Sequence, residues 1–356
     1  MNKPIDSPVE TRKGEELNEQ QLLAYLKSEL PNFADEIAVK QFPGGFSNLT
    51  YLITAGTREY VLRKPPFGAN IKSAHDMGRE YNVLHLLEPV YSKIPKPIIF
   101  CDDKTVIGSP FFMMERIKGV ILRNTIPKGL ELTPAHFKKL STQTIENLVD
   151  LHSLDVENSG LISLGKPKGY VKRQVEGWVK RYFKAETDEI SSMNMVAAWM
   201  ADNLPIKMTT AFIHNDYKYD NLVLDVDSLE IKAVLDWEMA TVGDPLMDLG
   251  TTLAYWVEKE DSPALRQFNL TWVAGNLTRQ QVIEKYTTLR NINIDDVLFY
   301  YVFGCFKLGV IAQQIYARYK KGYTKDARFA GLIHTVKACG ANAQNAIKYN
   351  RINNFY

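Results

Sequence analysis

The segment His214-Asn215-Asp216-Tyr217-Lys218-Tyr219-Asp220-Asn221 constrains this chain most. An aspartate stands two residues after a histidine and five before an asparagine. Fifteen residues beyond Asn221 comes a further aspartate, Asp236, just after an apolar, strand-like run that ends in Val234-Leu235. Alone, the match could be a surface turn, because Asn and Asp favour turns. Its weight comes from order: a β-rich segment must precede it and the second acid must follow it.

Composition sets the broad class. The chain has 356 residues, 45% hydrophobic and 24% charged, which suits a soluble globular protein of one large domain or two lobes. A net charge of +2 predicts no strong attraction to nucleic acid or to a membrane. The cysteines, Cys101, Cys305 and Cys339, are odd in number and widely spaced. No disulfide framework or zinc site follows from them, and a reducing cytoplasm fits. The N-terminus is polar, with no visible secretory signal. The most apolar run, Val297 to Ile315, is interrupted by Lys307 and carries Gln313 and Gln314. It predicts a buried helix rather than a membrane span.

Residues 1–17 are polar and are expected to be flexible. Gln20 to Leu30 has helical periodicity and stops before Pro31. Ala38 to Phe42, Asn48 to Thr54 and Glu59 to Arg63 are β-branched and aromatic, separated by Pro43-Gly44-Gly45 and Ala55-Gly56-Thr57, the pattern of antiparallel hairpins. Ser73 to Leu87 reads as a helix, with Ser73 and Asp76 at capping-box-like spacing and Pro89 as its stop. Strands at Ile98 to Cys101 and Phe111 to Glu115 follow. After Lys118-Gly119 helical patterns dominate. The first starts at Thr133-Pro134, with Thr as N-cap and Pro at the first helical position, and runs to about His152. Others cover Tyr170 to Ala185, Asn194 to Asn203, Thr278 to Asn291, Asp295 to Lys321 and Asp326 to Tyr349. The expected fold is α+β and bilobal. A flexible 1–17 precedes a small antiparallel β lobe with one helix over 18–117, and a large, mostly helical lobe covers 118–356.

Protein-kinase catalytic loops carry the His-x-Asp-x-x-x-x-Asn spacing, with Asp as the base and Asn as a magnesium ligand. Phosphoryl transfer asks a protein to position two oxygens and to neutralise charge. Pro43-Gly44-Gly45-Phe46-Ser47-Asn48 can offer backbone N–H groups and a hydroxyl to phosphates, with Gly44, Gly45 and Ser47 as candidate contacts, although any hairpin turn would look the same. Strand alternation puts Arg63 with Val61 and Lys64 with Leu62. By the kinase pattern this favours Arg63 as the phosphate cation, with Lys64 as the fallback. Glu80, mid-helix, is the candidate partner for that cation. Asp216 is the candidate base and His214 a brace for its loop. Lys218 reads either as a γ-phosphate contact or as a surface lysine. Asn221 and Asp236 supply the hard oxygens that Mg²⁺ takes beside phosphate. Asp248, ahead of an apolar helix start, reads as a hydrogen-bonding brace.

These residues, with Leu235-Asp236-Trp237-Glu238 and Gly243-Asp244-Pro245-Leu246-Met247-Asp248-Leu249, resemble the aminoglycoside phosphotransferase and choline kinase superfamily. Tyr60-Val61-Leu62-Arg63-Lys64-Pro65-Pro66, Phe112-Met113-Met114-Glu115-Arg116 and Asp150-Leu151-His152-Ser153-Leu154-Asp155 look like one branch of it. That branch is the phosphotransferase domain fused to, or encoded beside, acyl-CoA dehydrogenases. The resemblance covers roughly residues 20–340. It implies a protein-kinase-like fold, ATP and Mg²⁺, and a small-molecule hydroxyl as acceptor. It also implies an adenine hinge from Met114 to Ile117, with Met114, Glu115 and Ile117 as contacts. Two positions depart from the aminoglycoside kinases: Asn215 stands where they usually have glycine, and Lys218 is closer to protein kinases. Both count against an antibiotic substrate.

Lys166 to Lys184 carries seven basic residues against Glu176 alone, and Arg173, Lys180 and Lys184 fall on one helical stripe. The matching segment of the superfamily helps wall the substrate cleft. With Glu238, these three are the candidate substrate contacts, and they suit an anionic metabolite such as a hydroxyacyl-CoA; a solvated basic face is the alternative. An aminoglycoside or choline-type kinase stays open, as does a nucleotide-binding pseudokinase, against which the full set Arg63, Glu80, Asp216, Asn221 and Asp236 argues. No Ala-Pro-Glu segment follows Asp236, so a protein kinase ranks low. A small molecule is the one partner expected, and the oligomeric state, a homodimer included, stays open.

Overall fold

The computed structural model describes residues 5–43, 48–66, 76–324 and 326–355. They form two compact units. The first runs to Ile121 and takes in Leu222–Met239; the second holds Leu122–Asn221 and the chain from Ala240 onward. In chain order the first unit has α1 (Glu19–Glu29), β1 (Ala38–Gln41), β2 (Leu49–Ala55), β3 (Arg58–Lys64), α2 (Met77–Leu87), β4 (Pro97–Cys101), the one-turn α3 (Lys104–Ile107) and β5 (Phe111–Glu115). The second unit follows with α4 (Pro134–His152), α5 (Tyr170–Ala185), α6 (Ser191–Asp202) and β6 (Ala211–Ile213). The hairpin of β7 (Leu222–Leu224) and β8 (Ile231–Val234) belongs to the first unit. The second resumes with β9 (Thr241–Gly243), α7 (Pro245–Tyr255), α8 (Pro263–Arg266), α9 (Arg279–Arg290), α10 (Val297–Lys320) and α11 (Leu332–Tyr349). The chain is thus α+β.

In the first unit β1 to β5 form one antiparallel sheet in the order β1-β2-β3-β5-β4. Strand alternation sorts its two faces. Tyr51, Ile53, Leu62, Phe111 and Met113 pack with Leu22 and Leu26 of α1. Arg63 and Phe112, one residue out of phase, meet α2 instead, through Glu80 and Tyr81. The polar start of the chain, expected to be flexible, is tied to this sheet at Val9 and Glu15. Val9 and Gln41 exchange backbone hydrogen bonds at 2.8 and 2.9 Å, and the Tyr51 hydroxyl donates to the Glu15 carbonyl at 2.6 Å. The segment covers the edge of β1, whose backbone groups would otherwise stand unpaired. α2 begins at Met77 with Asp76 as its N-cap, accepting from the Arg79 N–H at 2.9 Å. The expected cap pairing with Ser73 lies outside the described residues, as do Gly44, Gly45 and Ser47.

Residues 222–239 join this unit through backbone pairs. Val120 and Leu224 bridge at 2.9 Å in both directions, and the Val234 N–H donates to the Lys93 carbonyl at 2.8 Å. Ile121, Val223 and Ala233 bury a small core there, with Ile117 and Leu235 against it.

The second unit is built on helices whose bounds fall close to those read from periodicity. α6 starts at Ser191 rather than Asn194, and a short 3₁₀ turn, Ala327–Gly331, precedes α11. α10 is the one described helix long and apolar enough to cross a membrane, and most of it is buried within this unit. α7 and α10 cross glycine to glycine. A Cβ on Gly250 would collide with the Tyr300 carbonyl, and one on Gly304 with the Gly250 carbonyl. Gly250→Ala or Gly304→Ala should therefore lower stability by about 1–3 kcal/mol or more, because backbone rather than a flexible side chain must give way. Thermal unfolding reads this directly, and an unchanged midpoint in both variants would mean the helices can part without cost.

Candidate active site

β6 delivers His214 and Asn215 into a buried turn. Asn215 adopts φ 67°, in the left-handed region that glycine and, next, asparagine tolerate. The departure from glycine noted in the sequence thus leaves the turn intact. Asp248 accepts the backbone N–H of His214 at 2.7 Å and that of Asn215 at 2.8 Å, one on each carboxylate oxygen. His152 donates to it through Nε2 at 3.2 Å, while its Nδ1 accepts from the Tyr286 hydroxyl at 2.8 Å. Burial works against the charge on Asp248, yet these donors hold its pKa below the ordinary carboxylate value. Asp248 is a brace, as its position ahead of an apolar helix suggested. His214 accepts the Asp216 N–H on Nδ1 at 3.2 Å, inside the loop it was expected to brace.

The carboxylate of Asp216 is held from three sides. The Tyr255 hydroxyl donates to Oδ1 at 2.7 Å, Asn221 Nδ2 donates to Oδ2 at 2.9 Å, and Lys218 Nζ lies 3.0 Å from Oδ2. Burial raises the pKa of Asp216, but Lys218 and Tyr255 outweigh it and the carboxyl stays below its usual value. For Lys218, burial opposes the charge and Asp216 more than restores it. Its ammonium also sits 4.8 Å above the Tyr255 ring. Asn221 Nδ2 donates to the Asp216 carbonyl as well, at 2.8 Å. The amide oxygen is thereby turned away from Asp216. Beside this loop a small cleft is lined by Tyr217, Lys218, Tyr219, Tyr255, Trp256 and Asn269.

In the first unit Arg63 gathers three carboxylates. Its guanidinium lies 2.5 Å from Glu80, 3.1 Å from Asp236 and 3.9 Å from Glu238. Burial works against its charge, and Glu80, Asp236 and Glu238 outweigh burial and keep it charged. Asp236 has φ 66°, and a third of its side chain is open. Glu238, read as a substrate contact, has its carboxylate committed in this cluster, where it also accepts from Asn48 Nδ2 at 3.0 Å. Lys64, the fallback, faces the other side of the sheet and donates to the Ile107 carbonyl at 3.1 Å. Among the described residues no three His, Cys, Asp or Glu gather to hold a metal unaided. Asn221 and Asp236 offer an amide and a carboxylate oxygen of the hard type Mg²⁺ takes when phosphate completes its shell.

Of the hinge residues, Met114 is paired on both sides within the sheet and the Glu115 N–H donates to the Lys96 carbonyl at 2.9 Å. Ile117 lies past the strand end. Arg173, Lys180 and Lys184 are exposed on α5, opposite the buried Val171, Val175, Trp178 and Tyr182. Arg173 is tied to the carbonyls of Lys166 and Lys168. Trp178 and Tyr182 are core residues, and of the aromatics on that helix only Phe183 is open.

Sequence reasoning missed Tyr255 and Lys307. Tyr255 stands seven residues after Asp248 on α7, so helical spacing alone puts both on one face. Lys307 Nζ donates to the Asn215 carbonyl at 2.6 Å. It was visible as the one charge in an apolar run.

A family model described as the phosphotransferase enzyme family matches residues 38–280. Acyl-CoA dehydrogenase family member 11 of Homo sapiens is 34% identical over 308 residues, covering 85% of this chain and 39% of that protein. The chain thus spans about two-fifths of the length of the curated relatives it matches first. A solved structure from Ralstonia eutropha, provisionally described as an aminoglycoside phosphotransferase, aligns with a TM-score of 0.80 at 26% identity, over 94% of this chain and 99% of that one. Choline kinase from Cryptosporidium parvum aligns at TM-score 0.59 and 14% identity, over 93% and 97%. The fold is that of these kinase-like phosphotransferases.

Asp248→Ala should cost roughly 1–3 kcal/mol, since it strands buried N–H groups, and should speed amide exchange at His214 and Asn215. The carboxyls of Asp248 and Asp216 both sit below their unfolded pKa. The stability they contribute is complete above about pH 4 and is lost as pH falls through the folded values. Thermal scans from pH 7 downward should show a shallower acid loss for Asp248→Ala. Exchange at His214 and Asn215 that stays at the wild-type rate would place the anchor elsewhere.

Proposed function

This chain belongs to the phosphotransferase enzyme family and is a small-molecule kinase with an alcohol group as acceptor; from that premise we propose that its donor is ATP with Mg²⁺ and its acceptor an anionic hydroxylated metabolite, a hydroxyacyl-CoA first among them. The observation that carries the donor reading is Arg63, whose guanidinium joins Glu80 on α2 to Asp236, the latter 173 positions on from Arg63 in sequence. A cation oriented by a helical Glu, next to an acid with an open side chain, is the arrangement that grips nucleotide phosphates in kinases. Ile117, past the end of β5, is the hinge contact we favour for adenine.

On this reading the acceptor oxygen attacks the γ-phosphorus, the bond to the β-phosphate oxygen breaks, and ADP leaves. The hydroxyl proton passes to Asp216. A carboxylate kept ionised by Lys218 and Tyr255 is a weak base, so its larger task is to aim the hydroxyl and to take the proton late. Asn221 through its amide oxygen and Asp236 through its carboxylate would hold Mg²⁺. When bound, that ion neutralises charge developing on the phosphates. Arg63 would hold phosphate oxygens, with Glu80 fixing its direction.

Two observations support the acceptor class. Curated relatives carry acyl-CoA dehydrogenase names. The exposed Lys180 and Lys184 on α5 suit the phosphates of an anionic carrier. The buried, free cysteines fit a reducing, cytoplasmic setting, which is part of the proposal.

A panel of hydroxyacyl-CoAs, choline and a kanamycin-type aminoglycoside, read by ADP release, tests the acceptor. We expect turnover of a hydroxyacyl-CoA, and a loss of roughly 10²-fold or more in kcat for Asp216→Ala with nucleotide affinity preserved. Efficient use of choline or the aminoglycoside alone overturns the acceptor class, and near-normal kcat in the Ala variant removes Asp216 from the reaction.

Asp236→Asn tests the donor. It deletes one formal charge, so ATP affinity measured by calorimetry should fall more with Mg²⁺ than without it. Equal losses in the two conditions would make Asp236 only a partner for Arg63.

A further inference from the structure

Lys307 is 2% exposed in the middle of α10. Burial pushes its pKa down to about 8, against the pull of Asp248 and Asp216, while Lys218 and Arg181 oppose its charge. An apolar residue would avoid that cost. Its ammonium donates to the Asn215 carbonyl at 2.6 Å, lies 3.5 Å from the Thr251 hydroxyl and stands 5.6 Å above the Trp178 ring.

The bonded carbonyl is what gives the contact its leverage. It belongs to the peptide plane that joins Asn215 to Asp216. The N–H of the same plane goes to His214 Nδ1. Lys307 and His214 therefore clamp one peptide unit from opposite edges. Elsewhere on Asn215, Asp248 takes the N–H and Tyr170 exchanges hydrogen bonds with the side-chain amide at 3.1 and 3.3 Å. If the plane between Asn215 and Asp216 turns, the Asp216 carboxylate leaves the Tyr255 hydroxyl and the Asn221 amide.

We propose that Lys307 is a positioning residue of the phosphoryl transfer, fixing the Asn215–Asp216 peptide so that the Asp216 carboxylate stays aimed at the acceptor hydroxyl. The proposal rests on Asp216 serving the acceptor as described above. It adds a residue 91 positions from Asp216, on a helix that carries none of the motif residues.

Lys307→Met keeps most of the length of the side chain and removes every donor; Lys307→Gln keeps a donor without the charge. Both are compared with wild type, full length, by kcat and KM with Mg-ATP and by hydrogen exchange of peptides covering residues 211–221 and α10. We expect kcat to fall about 10- to 100-fold in the Met variant, the worth of a hydrogen bond from a charged donor, with the nucleotide KM within about 2-fold. Faster exchange should be confined to residues 212–217, and the Gln variant should recover part of both losses. Unchanged kcat per folded enzyme with unchanged exchange overturns the proposal. So does protection lost evenly through α10 and its neighbours, which would make Lys307 a structural residue. Should the Met variant fail to fold, Gln against wild type decides by the same readouts, and wild-type values for both overturn it. If wild type turns over no hydroxylated acceptor, the functional reading fails separately, and the exchange comparison still decides whether Lys307 holds this peptide.

Discussion

One buried carboxylate fixes the chemistry-bearing turn of the second unit. Asp248 can stay ionised without solvent only because two backbone N–H groups and the His152 ring converge on it. That convergence in turn holds a left-handed residue, Asn215, in a conformation that a free chain would leave. Asp248 reaches the turn because α7 lies close against α10, and the glycines at 250 and 304 are what permit the approach. The same crossing brings Thr251 of α7 beside Lys307 of α10. A steric detail between two helices thus underlies an electrostatic one in a loop.

The first unit solves the opposite problem. There a cation is buried and acids are gathered around it. Glu80 is nearest and fully buried, Asp236 is partly open, and Glu238 is farther off with a second partner in Asn48. A second guanidinium, that of Arg79, donates to the Glu238 carbonyl at 2.8 Å, and burial pushes the Glu80 carboxyl up to about 7. The cluster's strained member, Asp236 at positive φ, is also its most accessible one.

Much of this was legible. Period-two alternation separated Arg63 from Lys64, and the structure places them on opposite faces of the sheet. The helix cap at Thr133 and the succession of three strands, a helix and two strands along the first unit followed from local chemistry. What was not legible depended on tertiary contact. Periodicity groups Arg173, Lys180 and Lys184 on one stripe of α5, but says nothing of what that stripe faces; it is exposed, and Arg173 is spent on nearby carbonyls. Glu238 joins Arg63 because β7 and β8 pack with the sheet-bearing unit, a pairing across more than a hundred residues that no local signal announces. The polar start of the chain looked loose by composition, yet it pairs with the free edge of β1, which is a property of the sheet and not of the segment. Lys307 was seen as a blemish in an apolar helix, and a blemish of that kind becomes informative only when its partner is known.

The membership of residues 222–239 in the first unit bears on how the chain reaches its fold during synthesis. A ribosome releases the β-rich segment first, but the strands and side chains that complete that unit, Asp236 and Glu238 included, emerge only after the intervening helices and the turn at Asn215. The early segment can form its sheet and its α1 core, yet must wait with Arg63 lacking two of its counter-charges. Closing so long a loop is slow compared with local pairing. The incomplete unit is therefore the stage at which a nascent chain would be most exposed to misassociation, and the stage at which a chaperone would have something to hold.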